Sequence, residues 1–248
     1  MSAQPGPRRL VAGALSAAVD WLVEPEPAVE EPPLHLAPPQ PEAGSGVEAR
    51  GVVAVVGLGR RCGATVVARA LGAELARRDA AGACAVTIGP GGGGMALGHP
   101  AAGRLARTLA PLAAGRVRAS GRLCLVDCAD HPALAGATLY LAPLVLDGCD
   151  PRDPHMTAAL ADDVVIVGGP AVEPALASAV AVALSGPGRR PLVVANRIAG
   201  RERAWGERAD LVLPETRVGA ALALAGREVR GELGRAACEL ADRLGGAG

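Results

Sequence analysis

A glycine-rich run that joins an apolar segment to an alanine-rich one is the part of this sequence best suited to chemistry. The apolar segment is Val52 to Val56, and the run after it reads Gly57-Leu58-Gly59-Arg60-Arg61-Cys62-Gly63-Ala64-Thr65. Glycines let backbone N–H groups turn inward around an anion, and a helix that begins at the end of the run adds its partial positive charge. This arrangement predicts a loop that binds phosphate groups.

The loop lacks one of the three parts with which a working phosphate loop binds a nucleoside triphosphate. Those parts are glycines for close approach, a lysine for the β- and γ-phosphates, and a serine or threonine for Mg²⁺. Gly63 and Thr65 supply the first and third parts, but Ala64 stands at the lysine position, and the whole chain of 248 residues contains no lysine. Arg60 or Arg61 could supply charge, although a planar guanidinium on a different stem is not a simple replacement.

Around the loop, short runs of β-branched residues alternate with stretches rich in alanine and leucine. This pattern predicts a mostly parallel β-sheet with helices on both faces, a three-layer α/β sandwich in which ligands bind at the carboxyl ends of the strands. The predicted strands are Val52–Val56, Ala83–Ile88, Arg122–Val126, Leu144–Leu146, Val164–Val167, Leu192–Ala195 and Leu211–Leu213. The predicted helices are Thr65–Arg78, Pro100–Ala114, Glu173–Leu184, Arg217–Ala225 and Glu232–Leu244.

The first fifty residues differ in composition from the rest of the chain. Residues 1–23 contain an apolar run interrupted by Asp20, which predicts an amphipathic helix that could contact a membrane or a partner. Residues 24–50 are rich in proline, glutamate and glycine, which predicts a disordered linker. We therefore expect the α/β domain to occupy residues 51–248.

The charge balance and the spacing of the cysteines indicate which partners and which cell compartment to expect. The 25 basic residues equal the 25 acidic ones, so no global charge favours nucleic acid as a partner. The six cysteines show no C-x-x-C spacing, and most lie in apolar runs, such as Cys84, Cys124 and Cys149. This usage predicts reduced, buried thiols in a cytoplasmic protein.

From about Gly51 to Leu244, the order of these segments resembles the MinD/ParA family of deviant Walker ATPases, and its pilus-positioning members in particular. The run from Gly59 to Thr65 lies where that family has its Lys-Gly-Gly-Val-Gly-Lys-Thr loop. The segment Val193-Val-Ala-Asn196-Arg197 is similar to the family's strand that ends in Asn-Arg near the adenine base, and Leu213-Pro214 resembles the closing segment.

The resemblance implies a P-loop fold that binds ATP and Mg²⁺ and acts as a homodimer or with a protein partner. It also implies a role in chromosome partitioning, division-site placement or pilus placement. Thr65 and Asp147 would lie near Mg²⁺. The cofactor-binding residues that it implies are Gly59, Arg60, Arg61, Cys62, Gly63, Ala64, Thr65, Val66, Asn196, Arg197 and Pro214.

Two departures from the family predict a degenerate nucleotide site. Gly59 and Ala64 stand where the family has lysines. Because these ammonium groups stabilise phosphate charge, we predict that ATP binds weakly or not at all and that its hydrolysis is very slow. The leading hypothesis is a regulatory or spatial-positioning protein that works through protein contacts.

Three other interpretations of the same residues stay open. The chain could be an ATPase that uses arginine in place of lysine. It could be an NAD(P)-dependent oxidoreductase of the Rossmann type, although Cys62 takes the place of the third glycine and no acidic residue ends the second strand. The glycine-rich run could also be a tight turn without a ligand. The segments around Asp130-His131 and from Asp150 to His155 are predicted as a helix start and a proline-punctuated loop.

Overall fold

The computed structural model describes residues 51–88, 99–100, 117–127, 143–148, 154–213 and 215–245. The predicted helix at 1–23 and the predicted linker at 24–50 lie outside the described residues. The same holds for Pro214 and for residues 101–114 of the helix predicted at Pro100–Ala114. The predicted start of that helix is wrong, because Pro100 lies in a strand.

One β-sheet carries the described part of the chain, and most of its strands are parallel. The strands are β1 (Val52–Gly57), β2 (Ala83–Ile88), β3 (His99–Pro100), β4 (Val117–Ser120), β5 (Leu123–Asp127), β6 (Leu144–Gly148), β7 (Asp163–Gly168), β8 (Leu192–Asn196) and β9 (Leu211–Leu213). Their order across the sheet is β3-β4-β5-β2-β6-β1-β7-β8-β9. All strands from β5 to β9 in this order are parallel to their neighbours, which confirms the predicted α/β class.

The position of β1 in the sheet distinguishes the P-loop interpretation of the sequence from the Rossmann-type interpretation. This strand pairs with β6 on one side and with β7 on the other, so β6 lies between β1 and β2. A dinucleotide-binding Rossmann sheet has the strand order 3-2-1-4-5-6, in which the first two strands are neighbours. The sheet therefore does not have the topology that the nicotinamide interpretation requires.

Two antiparallel strands at one edge were not predicted from the sequence. β4 pairs with β5 through a hairpin whose turn is Gly121-Arg122, and β3 pairs with β4. Gly121 has a φ of 59°, which suits a two-residue hairpin turn. The strand Val117–Ser120 is short and only partly buried, so it lacks the continuous apolar run by which the other strands were recognised.

The helices lie on both faces of the sheet, as predicted, and their bounds agree with the prediction within one or two residues wherever a predicted helix is described. They are α1 (Ala64–Arg78), α2 (Pro154–Ala158), α3 (Pro174–Leu184), α4 (Glu202–Trp205), α5 (Arg217–Leu224) and α6 (Gly231–Gly245). α1 and α6 cover one face with α5 packed against them, and α2, α3 and α4 cover the other. Within the described ranges, no helix is both long enough and apolar enough to cross a membrane.

Small side chains build the core, as the composition requires. A Cβ placed on Gly72 of α1 would lie 3.1 Å from Leu123 Cδ1, so the missing side chain lets this helix approach the sheet closely. Cys84 and Cys124 are buried on the opposite face of the sheet from α1, which confirms the predicted burial of these two thiols. Burial raises the pKa of Cys124 to about 11, so its thiol stays protonated and unreactive near neutral pH.

A charge cluster ties α1 to α6 and gives stability a defined dependence on pH. Arg77 and Arg78 both donate to the Glu74 carboxylate, at 2.6 Å and 2.7 Å for the shortest contacts, and Arg78 also donates to Asp242 of α6 at 2.7 Å. The hydrogen bond from Arg77 is the largest cause that holds the pKa of Glu74 at about 2, below its usual 4.5. A carboxyl whose pKa falls on folding stabilises the protein above its unfolded pKa and loses that contribution as the pH drops toward the folded one.

We therefore expect Glu74→Gln to lower the free energy of unfolding at pH 7 by about 1 kcal/mol, since Arg77 is exposed and solvent screens the pair. The difference from the wild type should shrink between pH 4.5 and pH 2. Urea titrations at pH 7 and pH 3 would measure it. A difference that does not change with pH would show that Glu74 acts through packing.

Candidate functional site

The predicted phosphate loop has the expected strand–loop–helix geometry. The backbone N–H of Leu58, at the start of the loop, donates to the Val167 carbonyl of β7 at 3.0 Å. Gly63 ends the loop as the N-cap of α1 in a left-handed conformation with a φ of 92°. Its carbonyl accepts the first helical hydrogen bond, from Val67 at 3.1 Å. The loop therefore leads into the N-terminus of a 15-residue helix at the carboxyl edge of the sheet, where the partial positive charge of the helix lies.

Cys62 packs closely against two glycines of neighbouring segments. A Cβ on Gly57 would lie 2.8 Å from Cys62 Sγ, and a Cβ on Gly169 would lie 2.9 Å from Cys62 Cα. Any side chain at either glycine would push the loop out of its conformation. The contact of Gly169 with the loop was missed in the sequence, although the pair Gly168-Gly169 at a strand end was a signal for close backbone approach.

Two residues at the end of β8 donate hydrogen bonds to the backbone of the loop. Asn196 Nδ2 donates to the Cys62 carbonyl at 2.8 Å in a buried contact, and Arg197 Nη2 donates to the Arg61 carbonyl at 2.6 Å in an exposed one. A Cβ on Gly63 would collide with the Asn196 amide, so glycine is required there as well. The sequence predicted Asn196 and Arg197 as contacts of an adenine base; the structure brings both to the loop and gives each a hydrogen bond to its backbone.

These two contacts are expected to differ in strength because only one is buried. Asn196→Ala removes the buried donor of the Cys62 carbonyl and should destabilise the protein by about 1–3 kcal/mol. Arg197→Ala removes an exposed contact to the next carbonyl and should cost at most about 1 kcal/mol, so it serves as the matched control. Thermal and urea unfolding of both variants would measure the difference. Equal losses would contradict the assignment of Asn196 as the main brace of the loop.

Three arginines and no lysine lie in the loop or beside it. Ala64 is 8% exposed and is the first residue of α1. Arg60 and Arg61 are exposed, and Arg61 has a φ of 59°, a conformation that residues other than glycine adopt infrequently. Arg197 has a φ of 56° and is held beside Arg61 by its hydrogen bond. The arrangement can attract an anion through backbone N–H groups and arginine, but it offers no lysine to a bound phosphate.

Asp147, the predicted metal-side carboxylate, lies in β6 beside β1 and faces the same side of the sheet as α1. Side chains alternate along a strand, and Val145 packs in the cluster beneath α1 whereas Leu146 packs on the other face. Asp147 is 1% exposed, and the Thr87 hydroxyl donates to its Oδ2 at 3.4 Å. The sequence missed Thr87, which stands near the end of β2, where no acidic residue was found.

Residues with the chemistry of a Mg²⁺ site therefore lie in adjacent elements. Asp147 pairs in register with Val55 of β1, two residues before the loop begins at Gly57. Thr65 is the second residue of α1 and is half-buried. Hydroxyl and carboxylate oxygens are ligands that Mg²⁺ prefers. Among the described residues no group of three or more His, Cys, Asp or Glu side chains could hold a metal ion by itself.

A small cavity of about 110 Å³ lies between the loop, the end of β8 and α5. Typical ligand pockets have about 300–1,000 Å³, so this cavity holds only part of a ligand unless it widens. Its lining includes four residues that were predicted as cofactor contacts and several that were not, namely Glu215, Thr216, Arg217, Ala220 and Leu233. The predicted ones are Gly63, Val66, Asn196 and Arg197. Pro214, predicted with them, lies outside the described residues.

The remaining acid–base candidates lie outside the described residues or, in the case of His155, on an exposed surface. Asp130, His131, Asp150 and Asp153 lie outside the described residues. His155 is exposed on the short helix α2. The described chemistry at the carboxyl edge of the sheet is thus that of the loop and its surroundings.

Comparison with known proteins shows which solved structures have a similar fold. No protein-family model and no curated protein matches the chain. Among solved structures, MinD in the MinC:MinD complex of Aquifex aeolicus aligns with a TM-score of 0.57 at 16% identity, over 79% of this chain and 96% of that one. A ParA family ATPase from Chlorobium tepidum aligns with a TM-score of 0.55 at 16% identity, over 79% and 99% of the two chains. An ATP complex of a McdA variant from Cyanothece aligns with a TM-score of 0.53 at 16% identity, over 80% and 97%.

These alignments extend over nearly the whole length of the three solved proteins, so the likeness covers a complete domain and not a single βαβ unit. The resemblance to the MinD/ParA proteins is therefore confirmed at the level of the fold, and the predicted P-loop architecture with it. The chain has the three-layer P-loop α/β fold of the ParA/MinD ATPases.

Proposed function

We propose that this chain is a regulatory or spatial-positioning protein with the ParA/MinD fold and a degenerate nucleotide site. The observation that supports the proposal is the strand–loop–helix turn that ends at the left-handed Gly63, with Ala64 at the position where the resemblance expects lysine. The backbone geometry supports anion binding, whereas the charge that would stabilise the transferred phosphoryl group is missing from the loop. Partitioning, division-site placement and pilus placement in the cytoplasm are the processes that such a protein would serve.

The ligand and the partner protein present in two of the similar solved structures support this proposal. The Cyanothece protein was solved with ATP, and the Aquifex protein with its partner MinC. We propose that this chain likewise binds ATP, though weakly, and acts through a protein partner or a second copy. Asn196, Arg197 and Pro214 would lie on the base side, and the segment from Gly59 to Val66 on the phosphate side.

Mg²⁺ would be held by Thr65 and Asp147. When bound, the ion would supply positive charge that offsets the charge of the phosphate groups. Thr65 would orient the ion from α1, and Asp147 would do so from β6, where Thr87 limits its rotation by the hydrogen bond to Oδ2. Backbone N–H groups at Gly63 and the start of α1 would bind phosphate oxygens.

A second candidate is an ATPase in which arginine replaces lysine. It is favoured by the contact of Arg197 with the Arg61 carbonyl, which holds a guanidinium beside the loop. Arginine can stabilise phosphoryl transfer when it reaches the transferred group. The two candidates differ in rate and in the residues on which the rate depends.

Calorimetry with ATP and Mg²⁺, together with a phosphate-release assay on the full chain, tests the proposal. We expect weak binding and turnover far below about 1 s⁻¹, the low end of ordinary enzyme rates. Turnover at or above that rate, provided that it is lost in Asp147→Ala, would overturn the proposal. Additional loss of that turnover in Arg61→Ala or Arg197→Ala would establish the arginine-based ATPase.

A further inference from the structure

A cavity of about 340 Å³ lies at the amino edge of the sheet, where β5 begins. It is lined by the second half of α1, by the hairpin turn between β4 and β5, and by the loop from α5 to α6. Its volume is within the range of about 300–1,000 Å³ that is usual for ligand pockets, and it is about three times that of the cavity beside Asn196. We call it the amino-edge cavity.

Two arginines in the lining of this cavity are available to a ligand. Arg122 belongs to the hairpin turn and Arg227 to the loop after α5, and both are exposed. Among the described residues, no carboxylate forms an ion pair with either guanidinium, and no acceptor takes a hydrogen bond from it. A guanidinium is a planar fork of donors that matches the oxygens of phosphate and carboxylate groups. The two side chains therefore favour an anionic ligand.

The other charged side chains of the lining already have partners within the protein. Arg77 donates to the Glu74 carboxylate at 2.6 Å. Glu228, the one acidic residue of the lining, has its Oε1 4.0 Å from Arg230 Nε. The positive charge that remains for a ligand is therefore that of the two arginines without a partner.

Backbone hydrogen bonds fix the main chain of both arginines before any ligand binds. The Ala83 N–H, at the start of β2, donates to the Arg122 carbonyl at 3.2 Å. The Arg227 N–H donates to the Leu222 carbonyl of α5 at 2.9 Å. Because the main chain is already ordered, less conformational entropy is lost when a ligand binds.

A glycine lets the two segments that carry these arginines approach each other. A Cβ on Gly226, the residue before Arg227, would lie 2.7 Å from Leu125 Cδ1 and 3.4 Å from Ser120 Cβ. Any side chain at this position would therefore push the α5–α6 loop away from the hairpin. The missing side chain keeps both arginines at the border of one cavity.

The chemistry of the lining fits a small organic phosphate. Ala73 and Ala76 of α1 and Leu123 of β5 line the apolar part of the cavity, against which an organic group can pack. A phosphate monoester carries about 1.5 to 2 negative charges at pH 7 and three acceptor oxygens, so it matches two guanidiniums better than a carboxylate with one charge and two oxygens. We propose that the amino-edge cavity binds a small phosphate monoester through Arg122 and Arg227.

This site is separate from the proposed nucleotide site. The phosphate loop follows the end of β1 at the carboxyl edge of the sheet, whereas the cavity lies at the amino edge. Neither of the two arginines belongs to the loop or to the lining of the cavity beside Asn196. The inference therefore does not rest on ATP binding, and a failure of one proposal leaves the other intact.

Calorimetry with phenyl phosphate on the full chain, without nucleotide or Mg²⁺, tests the class of ligand. We expect a dissociation constant of about 1 mM or below. Inorganic phosphate lacks the apolar ring and should bind at least about threefold more weakly. Benzoate keeps the ring but has a single carboxylate charge, and it should bind at least about fivefold more weakly. Weaker binding of phenyl phosphate than about 1 mM, or equal binding of either comparison compound, would overturn the proposal.

Replacing the arginines tests where phenyl phosphate binds. Arg122→Gln and Arg227→Gln should each weaken its binding at least about fivefold, because each removes one charged fork of donors. Arg235→Gln is the matched control, since Arg235 is also exposed but lies on α6, outside the lining of the cavity, and it should leave the affinity unchanged. Thermal unfolding would verify that all three variants fold. Wild-type affinity in both cavity variants, or equal weakening by the control, would show that phenyl phosphate binds elsewhere and would overturn the proposal.

Discussion

Replacing Trp205 with alanine is expected to lower the free energy of unfolding by about 3–5 kcal/mol. Trp205 is completely buried and packs in a cluster with Val172, Ala177, Val193, Ala195 and Ile198. A Cβ on Gly168 would collide with its ring, so the indole fills the space against β7. With so few aromatic residues in the chain, no neighbour is large enough to close the resulting cavity, which places the loss at the upper end of the usual range for tryptophan.

Urea unfolding followed by circular dichroism would measure this loss. Val218→Ala is the matched surface control and should change the free energy of unfolding by less than about 0.5 kcal/mol. Trp205→Phe should cost much less than the alanine variant, because the indole Nε1 has no hydrogen-bond acceptor within the described part of the chain. Phenylalanine keeps most of the ring and removes a buried donor that is not satisfied. A larger loss for phenylalanine than for alanine would contradict this account.

Replacing Ala64 with lysine is expected to tighten the binding of ATP and Mg²⁺ by about ten- to a hundredfold. Gly63 is in the left-handed conformation of an N-cap, and Asn196 donates a hydrogen bond to the loop, so the turn into α1 forms without the lysine. The new ammonium would meet the β- and γ-phosphates. A charge-assisted contact of this kind is worth about 1.5–3 kcal/mol. This free energy corresponds to an affinity about ten- to a hundredfold higher.

Calorimetry on the variant and on a charge control would test this prediction. Ala81→Lys adds the same charge in the exposed turn before β2, at the opposite edge of the sheet, and should leave nucleotide affinity unchanged. If Ala64→Lys folds normally and binds no more tightly than this control, the loop is not a phosphate site that has lost its lysine. The ParA/MinD likeness would then describe the fold alone.

Much of the fold could be predicted because it depends on local patterns. Buried parallel strands read as continuous apolar runs, such as Val52–Val56, and helices between them read as alanine- and leucine-rich stretches. The strand–glycine–helix passage at Gly57 to Thr65 likewise has a local cause, since only glycine accepts the left-handed conformation at Gly63 without strain. These features therefore agree closely between sequence and structure.

The edge strands β3 and β4 and the short helix α2 could not be predicted in the same way. Val117–Ser120 is exposed on part of its surface and is stabilised by pairing with β5, a neighbour that its own pattern does not reveal. Pro154–Ala158 is a helix of five residues, too short to show a periodic pattern. The carbonyls of Ala158 and Ala161, at and beyond its end, accept hydrogen bonds from Arg189, about thirty residues away.

For the candidate site, the sequence by itself determined the residue types: glycines for close approach, Thr65 and Asp147 with oxygen ligands, and no lysine anywhere in the chain. These are facts of composition and order. Only the tertiary structure decided which residues meet. The sheet order places β6 beside β1 and so brings Asp147 below the loop, and the packing of β7 and β8 sets Gly169 and Asn196 against Cys62. The contacts of Gly169 and Asn196 with Cys62 join residues more than a hundred positions apart. Their formation depends on the free energy of packing the whole sheet, which no local pattern encodes.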